Sequence, residues 1–379
     1  LCGMNAIRKV YLDNAATTPV RKEVVDAMTS VLLEHFGNPS STHGFGRSAK
    51  TQLETARKTI AKLLHANASE ILFTSTATEA TNWILRSAVR DLGVKRIITA
   101  KTEHHATLHT VTVLEREFGI NVTFLPINTD GSVQICDLPE LLQHPIKTLV
   151  SLIHVNNETG EIQDIQEVAQ WCQKYEAYFH CDTVQSIGKM PFDLSQLPVD
   201  FLVASAHKFH GPKGVGFAFV RKNIVLQPLL FGGEQEKGWR AGTEAVHQIV
   251  GMAEALSLSY AKLEEEQNYI SELKQYAITQ LKTAFPGVKV IGKNTFYNLM
   301  NVILPLDPSK TALLLFNLDM KGIAVSRGSA CQSGSIKPSH VLAEFLIKEE
   351  LVLPNLRISF SHLNTKEDVD YLVEVLKEL

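Results

Sequence analysis

The chain has 379 residues, 45% hydrophobic and 20% charged, with 37 Lys and Arg against 40 Asp and Glu for a formal net charge of -3. That length is too great for one small core, and the near-neutral balance gives no basic surface for nucleic acid or an anionic membrane. No apolar run approaches the ~18 residues of a membrane helix, and the N-terminus lacks a secretory signal. The five cysteines at 2, 136, 172, 181 and 331 form no CxxC pair, so the expected protein is soluble and cytoplasmic, with reduced thiols, no disulfide framework and no metal site.

Met4 is the expected native start, with Leu1, Cys2 and Gly3 an expression remnant. Further on, GFGRSAKT at 44–51 falls one residue short of a P-loop, with Ala49 where the second glycine belongs. A polar turn, FGNPSSTH, precedes it where a P-loop requires a buried strand, so no nucleotide site is expected there.

Seven runs rich in β-formers then alternate with helical patterns: EILFTS (70–75), KRIITA (95–100), NVTFLPI (121–127), KTLVSLIHV (147–155), AYFHCD (177–182), DFLVASA (200–206) and GVGFAFV (214–220). This alternation predicts an α/β unit with a largely parallel sheet. From Glu244 to about Phe285 the pattern is helical and charged and reads as a long connector. Beyond it LMNVILPL, NLRISFS and a closing helix, with Thr365 and Asp368 spaced as a capping box, predict a smaller α+β unit. Two packed units leave a cleft between them, the usual place for a ligand.

Several stretches in this frame carry chemistry. In ILFTSTATEATNW a strand, a small-residue turn and a helix start follow one another, with Thr76 and Glu79 spaced as a capping box. The N–H groups of Ala77 and Thr78 would then face an anion, although a well-capped helix alone has the same pattern. After the next strand, KTEHHATLH places His105 and His109 at helical i,i+4 spacing, but HExxH is absent and no third ligand is evident, so zinc is not expected. A histidine here can stack on a planar ring and move a proton, given an ordinary pKa of ~6.5, or simply bond to backbone; spacing leaves both open.

Asp182 closes the strand of AYFHCDTVQS, with Gln185 in the following turn, and Lys208 lies just past the strand DFLVASA. Ligands of open α/β sheets bind at such carboxyl ends. A lysine that forms a Schiff base and an aspartate that keeps a pyridine nitrogen protonated are what pyridoxal phosphate demands. The remaining feature, SRGSACQSGS at 326–335, sets Cys331 among glycines and serines with few apolar anchors.

With YLDNAATTP, FGNPSS, FTSTATE, TEHHA, HVNNETG, HCDTVQS, SAHKFHGPKG, the GG…RAGT segment of 232–243, SRGSACQS and LRISFS in this order, the chain resembles, end to end, a cysteine desulfurase of the NifS/IscS family, within the class V aminotransferase-like enzymes. The resemblance implies a fold-type I, pyridoxal 5'-phosphate-dependent transferase with a mainly parallel seven-stranded sheet and a smaller α+β C-terminal domain. The implied divisions are 1–20 as a segment packing on the small domain, 21–245 as the cofactor domain, 246–285 as a connecting helix and 286–379 as the domain carrying the cysteine.

The resemblance also implies roles. Lys208 would be the cofactor lysine, Asp182 the partner of its ring nitrogen, His104 the stacking residue and proton mover, and Gln185 the partner of its phenolate, with Asn157 bordering cofactor and substrate. Ala77, Thr78, Ser205 and His207 would hold the phosphate, joined by Thr243 from the other subunit of a homodimer. Arg357 would grip the substrate carboxylate through its planar fork of donors. Thr76, Thr183, Val184 and Glu234 depart from the family pattern.

The implied reaction converts L-cysteine to L-alanine, with sulfur passed to Cys331 as a persulfide and on to a protein acceptor such as an iron-sulfur scaffold or thiolation relay. Cys331 would need a base or cation to become a thiolate, with Arg327 near it in sequence. The alternatives are a selenocysteine lyase or another class V aminotransferase-like enzyme, and a non-catalytic sulfur carrier.

Overall fold

In the computed structural model, which describes residues 8–328 and 338–379, all seven β-forming runs become strands. Ahead of them come β1 (Val10–Tyr11) and helices α1 (Lys22–Glu34) and α2 (Gly44–Leu63). The near-P-loop forms the opening turns of α2, capped by His43 Nδ1, which accepts the Gly46 N–H at 3.2 Å. There follow β2 (Ile71–Thr74), α3 (Ala77–Asp91), β3 (Arg96–Ala100), α4 (His105–Phe118), β4 (Asn121–Leu125), α5 (Leu138–Leu142), β5 (Thr148–Ile153), α6 (Ile165–Lys174), β6 (Tyr178–Asp182), β7 (Phe201–Ser205) and β8 (Gly216–Val220).

These seven strands make one sheet in the order β2-β8-β7-β6-β5-β3-β4, in which only β8 runs against its neighbours. Helices cover both faces, so the inner strands are apolar throughout rather than alternating. Successive side chains still point to opposite faces. Phe73, Ile98, Val150, Leu152, Leu202 and Ala204 belong to the core on one face, and Leu72, Ile97, Leu149, Phe201 and Val203 to the core on the other. At the sheet edge all four residues of β4 before Leu125 are half-buried or exposed.

The stretch expected as one long connector is two helices, α7 (Val246–Ala261) and α8 (Leu263–Ala284), separated at Lys262. They serve different cores. Ile249, Met252 and Leu256 of α7 pack with the large sheet, whereas Ile270, Leu273 and Leu281 of α8 pack in a second core with β10 (Leu299–Ile303), β12 (Asn355–Ser359) and α11 (Lys366–Glu378). Three glutamates in the first turn of α8 suit a helix N-terminus at the break.

The second core covers an antiparallel sheet of order β12-β10-β9, with β9 at Lys289–Val290. Helices α9 (Leu314–Met320) and α10 (Lys348–Leu351) and strand β11 (Ile323–Ala324) complete this part, and β1 pairs in parallel with β11. The expected capping box opens α11, with Thr365 N–H donating to Asp368 Oδ2 at 3.1 Å. Among the described residues no helix is long and apolar enough to cross a membrane.

Candidate active site

The chain leaves β7 at Ser205 and makes a single tight turn, Ala206–Lys208, which sets Lys208 at the carboxyl edge of the sheet. The N-terminal ribbon lies against this turn. Lys208 Nζ donates to the carbonyls of Ala15 at 2.7 Å and Ala16 at 2.8 Å, and Thr18 donates its N–H to the His207 carbonyl at 2.9 Å. The His207 ring meets Thr17 Oγ1 at 3.1 Å, and burial followed by the Lys208 charge pulls its pKa down to about 4.

Asp182 ends β6, the central strand with three on either side, and is 5% exposed. Burial raises its pKa to about 6 against the opposing pull of the Val184 N–H, which it accepts at 3.0 Å, and of Lys208. Two of the departures from the family pattern shape this turn: Val184 supplies that N–H, and Thr183 Oγ1 donates to the Val203 carbonyl at 2.9 Å. Gln185 donates to the Ala15 carbonyl at 2.9 Å, the same oxygen that Lys208 uses, and its Oε1 accepts Lys189 Nζ at 3.4 Å. Lys189 is itself buried, which with the Lys208 charge lowers its pKa to about 7.

His104 is the N-cap of α4, and its Nδ1 accepts the Ala106 N–H at 3.1 Å. An accepting Nδ1 leaves the proton of the neutral ring on Nε2. Burial first, then the Lys208 charge, lower its pKa to about 4, so this histidine is neutral at physiological pH. His105 and His109 do share a helix face, with ring centroids 5.0 Å apart, and His340 stacks on His105 at 4.3 Å. Preceding them, Glu103 is fully buried; its Oε1 accepts the Ile153 N–H at 2.7 Å, and burial with the nearby Asp182 charge pushes its pKa well above the ordinary value.

The small-residue turn after β2 differs from expectation in two bonds. Thr76 caps α3 by accepting the Glu79 N–H at 3.1 Å, but the Glu79 carboxylate does not return to Thr76. It accepts the Ser75 N–H at 2.9 Å and pairs with Arg240 at 2.9 Å, because that guanidinium from the 232–243 segment draws it outward. The Ala77 N–H, expected to point at an anion, donates to Ser205 Oγ at 2.9 Å, so two of the named phosphate contacts bond each other. Thr78 is exposed beside them. Gly216 of β8 backs the turn: a Cβ there would lie 3.3 Å from Ala77 N and 2.3 Å from Ala204 O, which no side chain tolerates.

From the smaller part, Arg357 enters on β12 and is 1% exposed. Its Nη2 donates to Asp13 Oδ1 at 2.8 Å and its Nη1 to the Asn157 carbonyl at 3.0 Å, while its Nε has no hydrogen-bond partner among the described residues. Asn157 is half-buried in this cleft. Thr243 is exposed, on a segment tied down by Arg240 and by the buried pair of Glu236 with Arg57 at 2.7 Å. Arg327 is engaged with Asn355 Oδ1 at 3.2 Å and the Thr311 carbonyl at 3.4 Å, which directs it into the smaller part. Cys331 lies outside the described residues.

Lys208, Asp182, His104, Gln185, Ser205 and His207 are thus brought to one edge of one sheet, facing Arg357 and Asn157. Asp13, Glu103, Glu158 and Lys189 received no role from sequence reading and line the same region. Asp13 and Lys189 are charged residues among small or apolar neighbours, whereas Glu103 and Glu158 lie in polar stretches that gave no such signal.

The chain matches the family described as Aminotransferase class-V over residues 10–372. It is 41% identical over 374 residues to "Cysteine desulfurase IscS" of Dictyoglomus turgidum, covering 98% of this chain and 94% of that one. With the protein of the same name from Methanosarcina thermophila it shares 42% over 378 residues, covering 98% and 92%. A solved structure titled "NIFS-LIKE PROTEIN" superposes with a TM-score of 0.90 at 36% identity, covering 98% of this chain and 99% of the other.

Proposed function

The chain belongs to the class V aminotransferase family, and from that premise we propose that it is a cysteine desulfurase that holds pyridoxal 5'-phosphate at Lys208 and takes sulfur from L-cysteine onto Cys331. The observation that carries this reading is the convergence of Lys208, buried Asp182 and neutral His104 at one carboxyl edge, across a cleft from Arg357. The family depends on pyridoxal phosphate, and the residues present fit that group. Asp182 is a buried carboxylate whose charge is costly without a cationic N–H partner, which a protonated ring nitrogen supplies.

Lys208 would hold the cofactor, His104 would lie over its face, Gln185 would meet its phenolate oxygen, and Asn157 would border it. Ala77, Thr78, Ser205 and His207 would hold the phosphate, with Thr243 of a second copy. When bound, the group supplies an electron sink for the substrate Cα.

The rest belongs to the chain. Arg357 would bind the substrate carboxylate, with a buried guanidinium whose Nη2 is paired with Asp13 and whose Nε has no partner among the described residues. Lys208 would exchange the Cα proton. His104, whose Nδ1 lone pair accepts the Ala106 N–H, carries its proton on Nε2, which makes Nε2 the place where it would give a proton. The Cys331 thiolate would attack the substrate sulfur, forming an S–S bond as the C–S bond breaks; alanine leaves, and the terminal sulfur passes to a protein acceptor such as an iron-sulfur scaffold or thiolation relay.

A homodimer is supported by an exposed apolar surface: Phe36 and Phe45, 66% and 61% exposed, stack at 5.3 Å, and Phe231 is 79% exposed. A reducing, cytoplasmic setting suits the free Cys136, Cys172 and Cys181. Purified protein loaded with pyridoxal phosphate and given L-cysteine and a reductant should release alanine and sulfide. Cys331→Ala should abolish both and Cys172→Ala should retain both; the reverse pattern overturns the reading.

A further inference from the structure

Gly328, the last described residue before positions 329–337, and Ser339, the second one after them, come together at one carboxylate. Glu158, in the HVNNETG loop of the large part, is fully buried. Its Oε2 accepts the Ser339 hydroxyl, and a Cβ at Gly328 would lie 3.2 Å from the same oxygen and 3.6 Å from Ser339 Cβ. Glycine at 328 is therefore what allows its backbone so near the carboxylate.

Glu158 is held from its own side as well. Its N–H donates to Asn156 Oδ1 at 2.9 Å, and its carbonyl accepts Asn301 Nδ2 of β10 at 3.1 Å, so its backbone joins the large sheet's loop to the smaller sheet. Beside Ser339, His340 Nε2 meets the Glu103 carbonyl at 2.9 Å, its ring stacks on His105, and its Nδ1 stands 4.0 Å from Glu158 Oε1. Burying a carboxylate is costly unless its oxygens are engaged. This one accepts the hydroxyl of Ser339 on one flank of the cysteine segment and packs against Gly328 on the other.

We propose that Glu158 is a positioning residue for the sulfur-transfer step: by holding Gly328 and Ser339 side by side against the cofactor domain, it sets the two points from which the chain bearing Cys331 starts and returns. The inference rests on the proposed desulfurase reading. It assigns Glu158 no contact with substrate. The step that depends on it is the attack of the Cys331 thiolate on substrate sulfur, while events at the substrate Cα, managed by Lys208, do not.

That division supplies the test. Turnover of L-cysteine to alanine is measured beside exchange of the Cα hydrogen of L-alanine in deuterium oxide, a reaction that uses Lys208 and not Cys331. Glu158→Ala should lower kcat for cysteine by about tenfold or more while KM stays within about threefold and alanine exchange within about twofold, since a displacement near 1 Å suffices for such losses. Ser339→Ala, which removes one hydroxyl and threatens folding least, should show the same split at smaller size. Gly328→Ala should show it too, through the Cβ set against Oε2. Alanine exchange falling in step with turnover in all three variants, or turnover unchanged in all three, overturns the inference. Wild-type protein that makes no alanine from cysteine overturns the functional reading and this inference with it, whereas active wild type with unaffected variants overturns the inference alone.

Discussion

The two ends of the seven-stranded sheet carry similar carboxylates, one buried and one half-buried. Asp182 stands at the carboxyl end of β6 and Asp200 just before the amino end of β7, and burial raises both to a pKa of about 6. Each accepts one backbone N–H, from Val184 at 3.0 Å and from Phe179 at 2.8 Å, and each feels one cation, Lys208 or Arg221. The amino end even has the larger cavity, about 650 Å³ around Asp200, Cys172 and Arg221, against about 520 Å³ beside His104.

What separates them is the company of the cation. Arg221 donates to the carbonyls of Val199, Leu194 and Leu197 and so ties a loop to the sheet. Lys208 instead sits among His104, His207, Gln185 and the Ser205 turn, and Arg357 arrives from the other core. A shifted carboxyl and a cavity are therefore poor evidence of a site by themselves; convergence of donors at the edge where βα loops emerge is better.

The comparison can be broken by substitution at either end. Lys208→Ala should lower alanine formation from cysteine by about 10³-fold or more and remove the yellow Schiff-base absorbance, read by stopped assay and spectrum. Asp182→Asn should cost about 10²-fold in turnover, the scale of losing a group that tunes proton transfer, while Asp200→Asn stays within about twofold. Equal losses from the two aspartates would erase the distinction. Arg357→Lys keeps the charge but loses the fork, and KM for cysteine should rise about tenfold, as steady-state kinetics would show.

The smallest effect should be one that the two ends share. A carboxyl whose folded pKa is raised binds more protons folded than unfolded between its ordinary ~3.9 and about 6, so its contribution to stability is present at low pH and lost as pH rises through that window. In cofactor-free protein, Asp182→Asn and Asp200→Asn should each melt progressively higher than wild type as pH is raised from ~4 to ~7, by on the order of 1 °C per kcal/mol recovered. Thermal melts across that range would show it, with stability alike at both ends and catalysis affected only at one.

Lys208 and Asp182 were legible because residue type and strand-end position coincide for them. Gln185 and His104 became legible only through the family resemblance, and Arg357 likewise, since a lone arginine in a strand has no local mark. Asp13 and Glu158 were not legible as partners of anything. Their contacts, Arg357 and Ser339, lie in the opposite end of the chain, and no periodicity reports such a pairing. The Glu79 carboxylate misled for the same reason: the local capping pattern is present, but Arg240 reaches it from outside.

By itself the sequence determined where the strands and helices run, because a helix-covered strand must be apolar along its length and a turn must be polar or small, and both conditions are local. It also determined that a lysine and an aspartate would stand at strand ends. Only the tertiary structure decided which of the buried charges meet. The order β2-β8-β7-β6-β5-β3-β4 is not the order of the chain, and the N-terminal ribbon meets the far end of the chain twice, through β1 on β11 and through the bridge of Asp13 with Ser359. Charges buried in such a fold are compensated by whatever the topology brings beside them, and that is a property of the packed whole.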